Sequence, residues 1–123
     1  MINKLRALAQ LILKVQGKEE FRVHLDIANR PKTVNEILRV RKISVIILDR
    51  GDYYMFKLPI RVGPEKPASE FSEGDVAFDY MGSWVLIFKK NSRYILKANP
   101  IGKVAEKVPN IKSGSQAIVE TEI

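Results

Sequence analysis

The sequence predicts a mainly β protein, a closed antiparallel barrel of about eight strands with one or two short capping helices. Three observations support this prediction. Short apolar segments with strand character recur along the 123 residues, turn-forming residues separate them, and one internal segment has clear helical spacing. Because closing a sheet removes the unpaired edges that an open sheet would expose, a barrel is the arrangement we expect for so many short strands.

The clearest strand pattern lies in residues 21–27. Phe21, Val23, Leu25 and Ile27 alternate with polar residues, so one face of a strand meets a core and the other meets water. Pro31 follows and ends the strand pattern, because proline has no amide hydrogen for a ladder.

A short helix follows this strand. Thr33 and Glu36 have the spacing of a capping box, which predicts a helix start at Thr33. Asn29 is a second cap candidate, since Pro31 is tolerated in a first helical turn. Either start gives a single helix whose apolar stripe covers one end of the sheet as a lid. The stripe consists of Val34, Ile37 and Leu38.

Residues 1–20 combine a basic start with an apolar run, as a signal peptide does. We reject that interpretation because Gln10 and Lys14 interrupt the run and its apolar part is far shorter than the ~20 residues of a membrane span. We expect a single domain over 1–123 in which 1–20 is an N-terminal extension of helix or strand. The helical face would be Leu5, Leu8, Ile12 and Val15, and the strand face Leu11, Leu13 and Val15.

The rest of the chain reads as hairpins and loops. Residues 43–59 predict a hairpin around a turn at 49–52, and the β-branched run at its start suggests a strand buried on both sides. Residues 63–72 carry the longest loop signal, and loops of this kind often carry function. The remaining predicted elements are a hairpin over 76–88, an ambiguous segment 94–98, a short strand 101–104 and a terminal strand 117–123.

Composition limits the classes of function. The chain has no cysteine, which excludes disulfides, thiolate metal sites and thiol catalysis and is compatible with a cytoplasmic location. With 21 Lys and Arg against 14 Asp and Glu, the net charge is +7, so nucleic acid is an alternative partner. The basic clusters 39–42 and 89–93 would contact phosphates, and Tyr94 would stack on a base. We expect no membrane association, and the oligomeric state stays open.

Three segments in the same order resemble the cyclophilin-like superfamily. They are IANRPKTVNEI at 27–37, EGDVAFDYMGSWVLIFKK at 73–90 and PIGKVAEKVPNIKSG at 100–114. The likeness covers 21–123 and is greatest to the small archaeal and bacterial cyclophilin-like proteins without an assigned activity. This resemblance implies an eight-stranded barrel capped by helices.

The resemblance does not extend to the cyclophilin isomerase site. Where the family has an arginine in a phenylalanine-rich strand followed by F-M-x-Q-G, residues 49–60 read DRGDYYMFKLPI. Lys97 and Asn99 stand where the family has a histidine. We therefore expect no standard isomerase activity. The alternative is a peptidyl-prolyl isomerase with a rearranged site, in which Arg50 would polarise the prolyl carbonyl.

Other catalytic chemistry has weak support in the sequence. His24 falls on the polar side of its strand, and a single histidine cannot form a histidine-rich metal site. The pairs Asp49–Asp52 and Glu73–Asp75 fit turn chemistry better than acid–base or cation-binding roles. The isolated glycines lack the context of a phosphate loop. We expect neither a metal nor a cofactor.

The function we favour from the sequence is binding of a peptide or small ligand. Aromatic rings at strand ends offer an apolar face and a polar tip, although most of these rings should fill the core. The candidate ligand-binding residues are Arg50, Tyr54, Phe56, Trp84 and Tyr94.

Overall fold

A computed structural model describes residues 9–18 and 20–123. In these residues nine strands and one helix form a closed eight-stranded antiparallel barrel with an added strand, which confirms the predicted fold class. The elements are β1 (Gln10–Val15), β2 (Phe21–Leu25), α1 (Pro31–Leu38), β3 (Lys42–Asp49), β4 (Tyr53–Lys57), β5 (Ala68–Phe71), β6 (Asp75–Asp79), β7 (Trp84–Phe88), β8 (Ser92–Val104) and β9 (Ser115–Glu122).

The barrel closes where the second half of β8 meets β2. The order around the wall is β2-β1-β9-β3-β4-β7-β6-β8, and β8 pairs back to β2 through the register of Leu25 with Gly102. A Cβ on Gly102 would collide with the backbone carbonyl of His24. The glycine therefore allows the two strands to approach closely enough to seal the barrel.

The barrel interior is filled by the inward side of each strand. Leu11, Leu13 and Val23 are fully buried there, as the period-two alternation requires. The helix α1 covers one end of the barrel, where its Val34 and Ile37 are fully buried. The predicted role of this helix as a lid agrees with its position.

A second apolar cluster lies outside the barrel wall. The strand β5 and residues 92–98 of β8, which we call the flap, cover the outer face of β4, β7 and β6. Phe71 of the flap stacks on Phe88 of the wall at a ring-centroid distance of 4.5 Å. Residues 94–98, ambiguous from the sequence, therefore belong to a strand, and residues 101–104 continue the same 13-residue strand.

The start of α1 differs from both sequence predictions. The helix begins at Pro31, and its N-cap residue Arg30 makes no side-chain cap hydrogen bond. Glu36 pairs with Arg39 instead of closing a capping box with Thr33. The Glu65 carboxylate, from the predicted loop, accepts the hydrogen bonds at this helix end.

Three other predictions need correction or restriction. The strand β3 is buried on one side, at Val45 and Ile47, and not on both. The predicted loop 63–72 contains β5. Within 1–20, Gln10–Val15 is a strand of the barrel wall, whereas the predicted helical positions Leu5 and Leu8 lie outside the described residues. No helix within the described residues has the length and apolarity to cross a membrane.

Candidate ligand groove in the barrel wall

A groove of about 800 Å³ opens on the outside of the barrel where β3 and β4 separate, and we call it the seam groove. This volume is within the range of small-molecule binding sites. Ile46 of β3 is 47% exposed there. The full lining is Lys14, Gln16, Ser44, Val45, Ile46, Leu48, Lys57, Trp84, Gln116, Ala117 and Ile118.

The seam opens because the β3–β4 ladder stops early. Only two register pairs join the strands, Leu48 with Met55 and Asp49 with Tyr54. Continuing this register would place Ser44 opposite Pro59. Proline has no amide hydrogen to donate to the facing carbonyl, so the ladder cannot extend there. The pairing in fact ends one step earlier, since Ile46 and Lys57 are not paired either, so Pro59 prevents its extension past a break that is already present and the ladder has a gap beyond the hairpin end.

Trp84 forms the wall of the groove at the start of β7. The Lys57 ammonium lies 5.1 Å from the centroid of the Trp84 ring, within range of a cation–π interaction. A Cβ on Gly82 would lie 2.6 Å from Cδ1 of the indole. The position of the ring in the groove therefore depends on the missing side chain of Gly82.

The groove has a positive character. Its lining, within the described residues, contains two lysines, Lys14 and Lys57, and no acidic residue. Lys14 forms an ion pair with Glu120 at 3.2 Å, beside a second pair from Lys42 at 3.6 Å. The hydrogen bond from Lys14, with its charge and that of Lys42, holds the pKa of Glu120 below its ordinary value. An apolar ligand with a carboxylate suits such a surface.

Of the five candidate residues from the sequence, Trp84 lines the seam groove. Tyr54 and Phe56 are 1% and 0% exposed because they lie on the inward side of β4. The Tyr54 hydroxyl accepts a hydrogen bond from the amide of Ile111 at 2.8 Å, which ties a loop to the barrel interior. These two rings pack the core.

The other two candidates lie away from the groove. Arg50 is exposed in the turn between β3 and β4. Tyr94 lies under the flap, and its hydroxyl donates a hydrogen bond of 2.5 Å to the buried carboxylate of Asp79. Burial and this hydrogen bond raise the pKa of Tyr94. The five side chains therefore do not converge on one concave surface.

Sequence reasoning missed Ser44, Ile46 and Lys57, which form the edges of the groove. The β-branched run 43–48 predicts a strand buried on both sides, and that prediction leaves no exposed position for Ile46. A usable signal was present, because the turn at 49–52 fixes the hairpin register and that register sets Pro59 opposite Ser44. A proline at this position of a predicted ladder indicates a break.

One carboxylate of each acidic pair, Asp49 and Asp75, accepts hydrogen bonds within a turn, which agrees with the turn chemistry that the sequence indicated. Asp49 accepts from the Gly51 amide at 2.9 Å and from the Lys89 ammonium at 2.7 Å. The hydrogen bond from Lys89, with that from Gly51, lowers the pKa of Asp49. Asp75 accepts from the Ser72 amide at 2.8 Å. Within the described residues no group of three histidine, aspartate or glutamate side chains converges as a metal site would require.

Both predicted basic clusters contain ion pairs with nearby carboxylates. In the first cluster, 39–42, two of the three cationic side chains are paired. In the second, 89–93, all three cationic side chains are paired. The pairs are Arg39–Glu36, Lys42–Glu120, Lys89–Asp49, Lys90–Asp52 and Arg93–Glu70. These carboxylates offset positive charge that would otherwise be directed at phosphates.

The chain forms an antiparallel barrel that closes between β2 and β8 and has a gap in the β3–β4 ladder. Comparison with known proteins shows which solved structures share this fold. No protein-family model and no curated protein matches the chain. The hypothetical protein AF2241 from Archaeoglobus fulgidus has a similar solution structure, with a TM-score of 0.76 and 21% identity over 92% of this chain and 94% of that one. At this identity the likeness shows the fold alone.

A second solved structure has the same fold over part of its length. It is McbB in complex with tryptophan, which matches with a TM-score of 0.72 and 11% identity over 89% of this chain. This chain spans 44% of the McbB chain. The likeness therefore concerns a portion of that protein and, at this identity, its fold.

Proposed function

We propose that this protein is a cyclophilin-like barrel that binds a peptide or a small apolar ligand in the seam groove, without standard isomerase activity. The observation that carries the proposal is the groove itself, in which Ile46 and Trp84 offer apolar surface beside Lys57. Concave, mostly apolar surfaces with a few polar groups are typical of ligand sites.

The lining indicates the chemistry of the ligand. An aromatic or branched apolar group would pack between Ile46 and Trp84, and a carboxylate would lie near Lys57. Tryptophan combines both features, and McbB is a structural neighbour in complex with tryptophan. Tryptophan is therefore a suitable small-molecule probe, alongside short apolar peptides with acidic ends.

The test is a titration of the ¹⁵N-labelled protein by NMR with tryptophan and with such a peptide. We expect chemical-shift changes at the amides of β3 and at the indole N–H of Trp84. Two matched variants locate the site: Ile46→Glu places a charge in the groove, and Ile95→Glu makes the same change at a 90% exposed position on the flap. The first should abolish binding and the second should preserve it.

Three outcomes would contradict the proposal. These outcomes are a spectrum that neither probe changes, chemical-shift changes that map to another surface, and equal binding by the Ile46→Glu and Ile95→Glu variants. The rearranged isomerase remains the alternative, with Arg50 as its cation, although Arg50 lies outside the groove lining. We also propose a cytoplasmic location, which the absence of cysteine permits and cell fractionation can test.

A further inference from the structure

The direction of the backbone groups along β3 is fixed by its neighbours. In an antiparallel ladder, successive residues direct their N–H and C=O groups to opposite sides of the strand. Arg41 and Ile47 direct their carbonyls toward β9, where they accept from Thr121 at 2.8 Å and Gly114 at 2.7 Å. Ser44 and Ile46 are at the alternate positions of the strand, so their N–H and C=O groups point away from β9 and toward the seam.

The facing strand β4 presents a matching edge. Leu58 donates to the Ser83 carbonyl at 3.1 Å on the β7 side. Lys57, one residue earlier, therefore directs its backbone groups away from β7 and toward β3. Within residues 9–18 and 20–123, the β3–β4 ladder pairs neither Ser44 nor Ile46 with a residue of β4. The seam groove thus has main-chain donors and acceptors along its edges as well as apolar side chains.

We propose that an extended peptide binds in the seam groove by β-strand addition to β3, running antiparallel to it. This inference rests on the ligand-binding function proposed above and specifies the ligand as a polypeptide segment. A strand is the ligand that matches alternating donors and acceptors at a sheet edge, since main-chain hydrogen bonds supply affinity and side-chain pockets supply specificity.

The groove also restricts the side chains of the peptide. Val45 and Ile47 are 7% and 0% exposed, so peptide side chains directed into the barrel would meet a filled core and must be small. Side chains on the outer side would lie beside Ile46 and Trp84 and can be large and apolar. Lys57 favours an acidic residue near it, and Lys14, which is paired with Glu120, adds less. The expected pattern alternates small and large apolar residues between acidic ends.

The register makes a sharp test available with the peptide acetyl-Glu-Ala-Leu-Ala-Phe-Ala-Glu-amide. In an antiparallel pair, residues that share a face also share their hydrogen-bond direction. The Leu and Phe amides would therefore bond to Ser44 and Ile46, and the Ala amides would face away from β3. N-methylation of Leu and Phe should weaken binding by about tenfold or more, and N-methylation of two Ala residues by less, because β3 presents the backbone groups of both Ser44 and Ile46 whereas the facing strand presents those of Lys57.

Amide hydrogen exchange on the full chain supplies an independent measurement. In the free protein, the amides of Ser44 and Ile46 should exchange faster than those of Val45 and Ile47, which face β9. Saturation with the peptide should slow exchange at Ser44 and Ile46 by about tenfold or more and leave the other two unchanged. This measurement needs no substitution, so a folding defect cannot affect it.

Each other outcome overturns strand addition and has a distinct meaning for the groove. Equal binding of the two N-methylated peptides, or unchanged exchange at Ser44, means that side chains alone hold the ligand, and the proposed function survives. If tryptophan binds but the peptide does not, strand addition is likewise overturned and the proposed function survives. Concentration-dependent protection of Ser44 and Ile46 in the free protein would assign the edge to a second copy of this chain. Failure of both probes overturns the proposed function as well.

Discussion

Glu65 holds the loop after β4 against the start of α1, and its replacement gives a quantitative test of the packing. The carboxylate accepts hydrogen bonds from the Lys32 amide at 3.0 Å, the Thr33 amide at 2.8 Å and the Thr33 hydroxyl at 2.7 Å. Arg30, at the N-cap, makes no side-chain cap bond. Glu65 therefore satisfies helix amides that an N-cap side chain would otherwise bind.

Glu65→Gln keeps the side-chain length but places an amide group against donors. We expect a loss of about 1–2 kcal/mol in the free energy of unfolding, the range for a lost cap and a charge-assisted hydrogen bond. The measurement is urea unfolding, followed by the fluorescence of the single tryptophan. Glu106→Gln is the matched control, because Glu106 is exposed and should change stability by less than about 0.5 kcal/mol.

The pH dependence of this loss has a definite sign. Burial raises the pKa of Glu65, but the hydrogen bonds from Thr33 and Lys32 outweigh it and hold the pKa below its ordinary value of 4.5. Since the folded pKa is below the unfolded one, the ionised carboxylate stabilises the fold above the unfolded pKa, and this contribution is lost as the pH falls through the folded pKa. The difference between wild type and Glu65→Gln should therefore shrink in acid. The reasoning would be refuted if Glu65→Gln and Glu106→Gln lost the same free energy of unfolding. It would also be refuted if the difference between wild type and Glu65→Gln did not depend on pH.

Five further predictions concern the groove, the flap and the two alternative functions. Gly82→Ala should displace the tryptophan ring, shift its fluorescence and weaken ligand binding, whereas Gly63→Ala, with open space around its Cβ, should do neither. Tyr94→Phe should cost about 1–3 kcal/mol in urea unfolding because it leaves a buried carboxylate without this donor, and a loss near zero would contradict the packing. Pro59→Thr restores an amide donor at the seam, so it should extend the ladder and reduce affinity for the peptide, as NMR titration can measure. A coupled proline-peptide assay should show no turnover at catalytic protein concentration, and a salt-sensitive complex with single-stranded nucleic acid should not form at low salt.

Much of the wall could be predicted from local patterns. The alternation from Phe21 to Leu25 and the hairpin over 76–88 appear in the structure close to their predicted bounds. In the first case the alternation alone determines which face is buried. In the second, the apolar clusters in both arms indicate the strands, which the structure buries on both faces between the barrel interior and the flap. The closed barrel then follows from the number of strands and the need to pair their edges.

The predictions that were wrong depended on distant residues. The Thr33–Glu36 spacing is a valid local cap, but Glu65, which is 32 residues from Thr33 in the chain, occupies the amides instead. The segment 94–98 was ambiguous because its pattern combines a flap strand with a bulge, in which Tyr94 to Lys97 face Ser69 alone on β5. Neither arrangement has a signal within a local window.

The candidate site was partly predictable. The structure buries Tyr54 and Phe56 on the inner face of β4, a face that the uniformly apolar residues 53–56 do not identify by alternation. Their aromatic rings suggest ligand contacts, but both residues belong to the core. Trp84 reaches the groove because it lies on the outer face of its strand, next to a glycine turn that leaves room for the ring. The position of Pro59 in the hairpin register was the available signal for the groove itself.

Pro59 prevents the β3–β4 ladder from extending past the unpaired Ile46 and Lys57 positions, and it contributes to the character of the exposed edge. Natural sheet edges are usually protected by lysine and proline, and Lys42, Lys57 and Pro59 are such residues. Protection alone does not account for Ile46, which is 47% exposed between backbone groups that the ladder leaves unpaired. A charged residue at that position would protect the edge better. An apolar residue there, facing Trp84 across a groove, instead favours entry of a partner that covers both the side chain and the backbone.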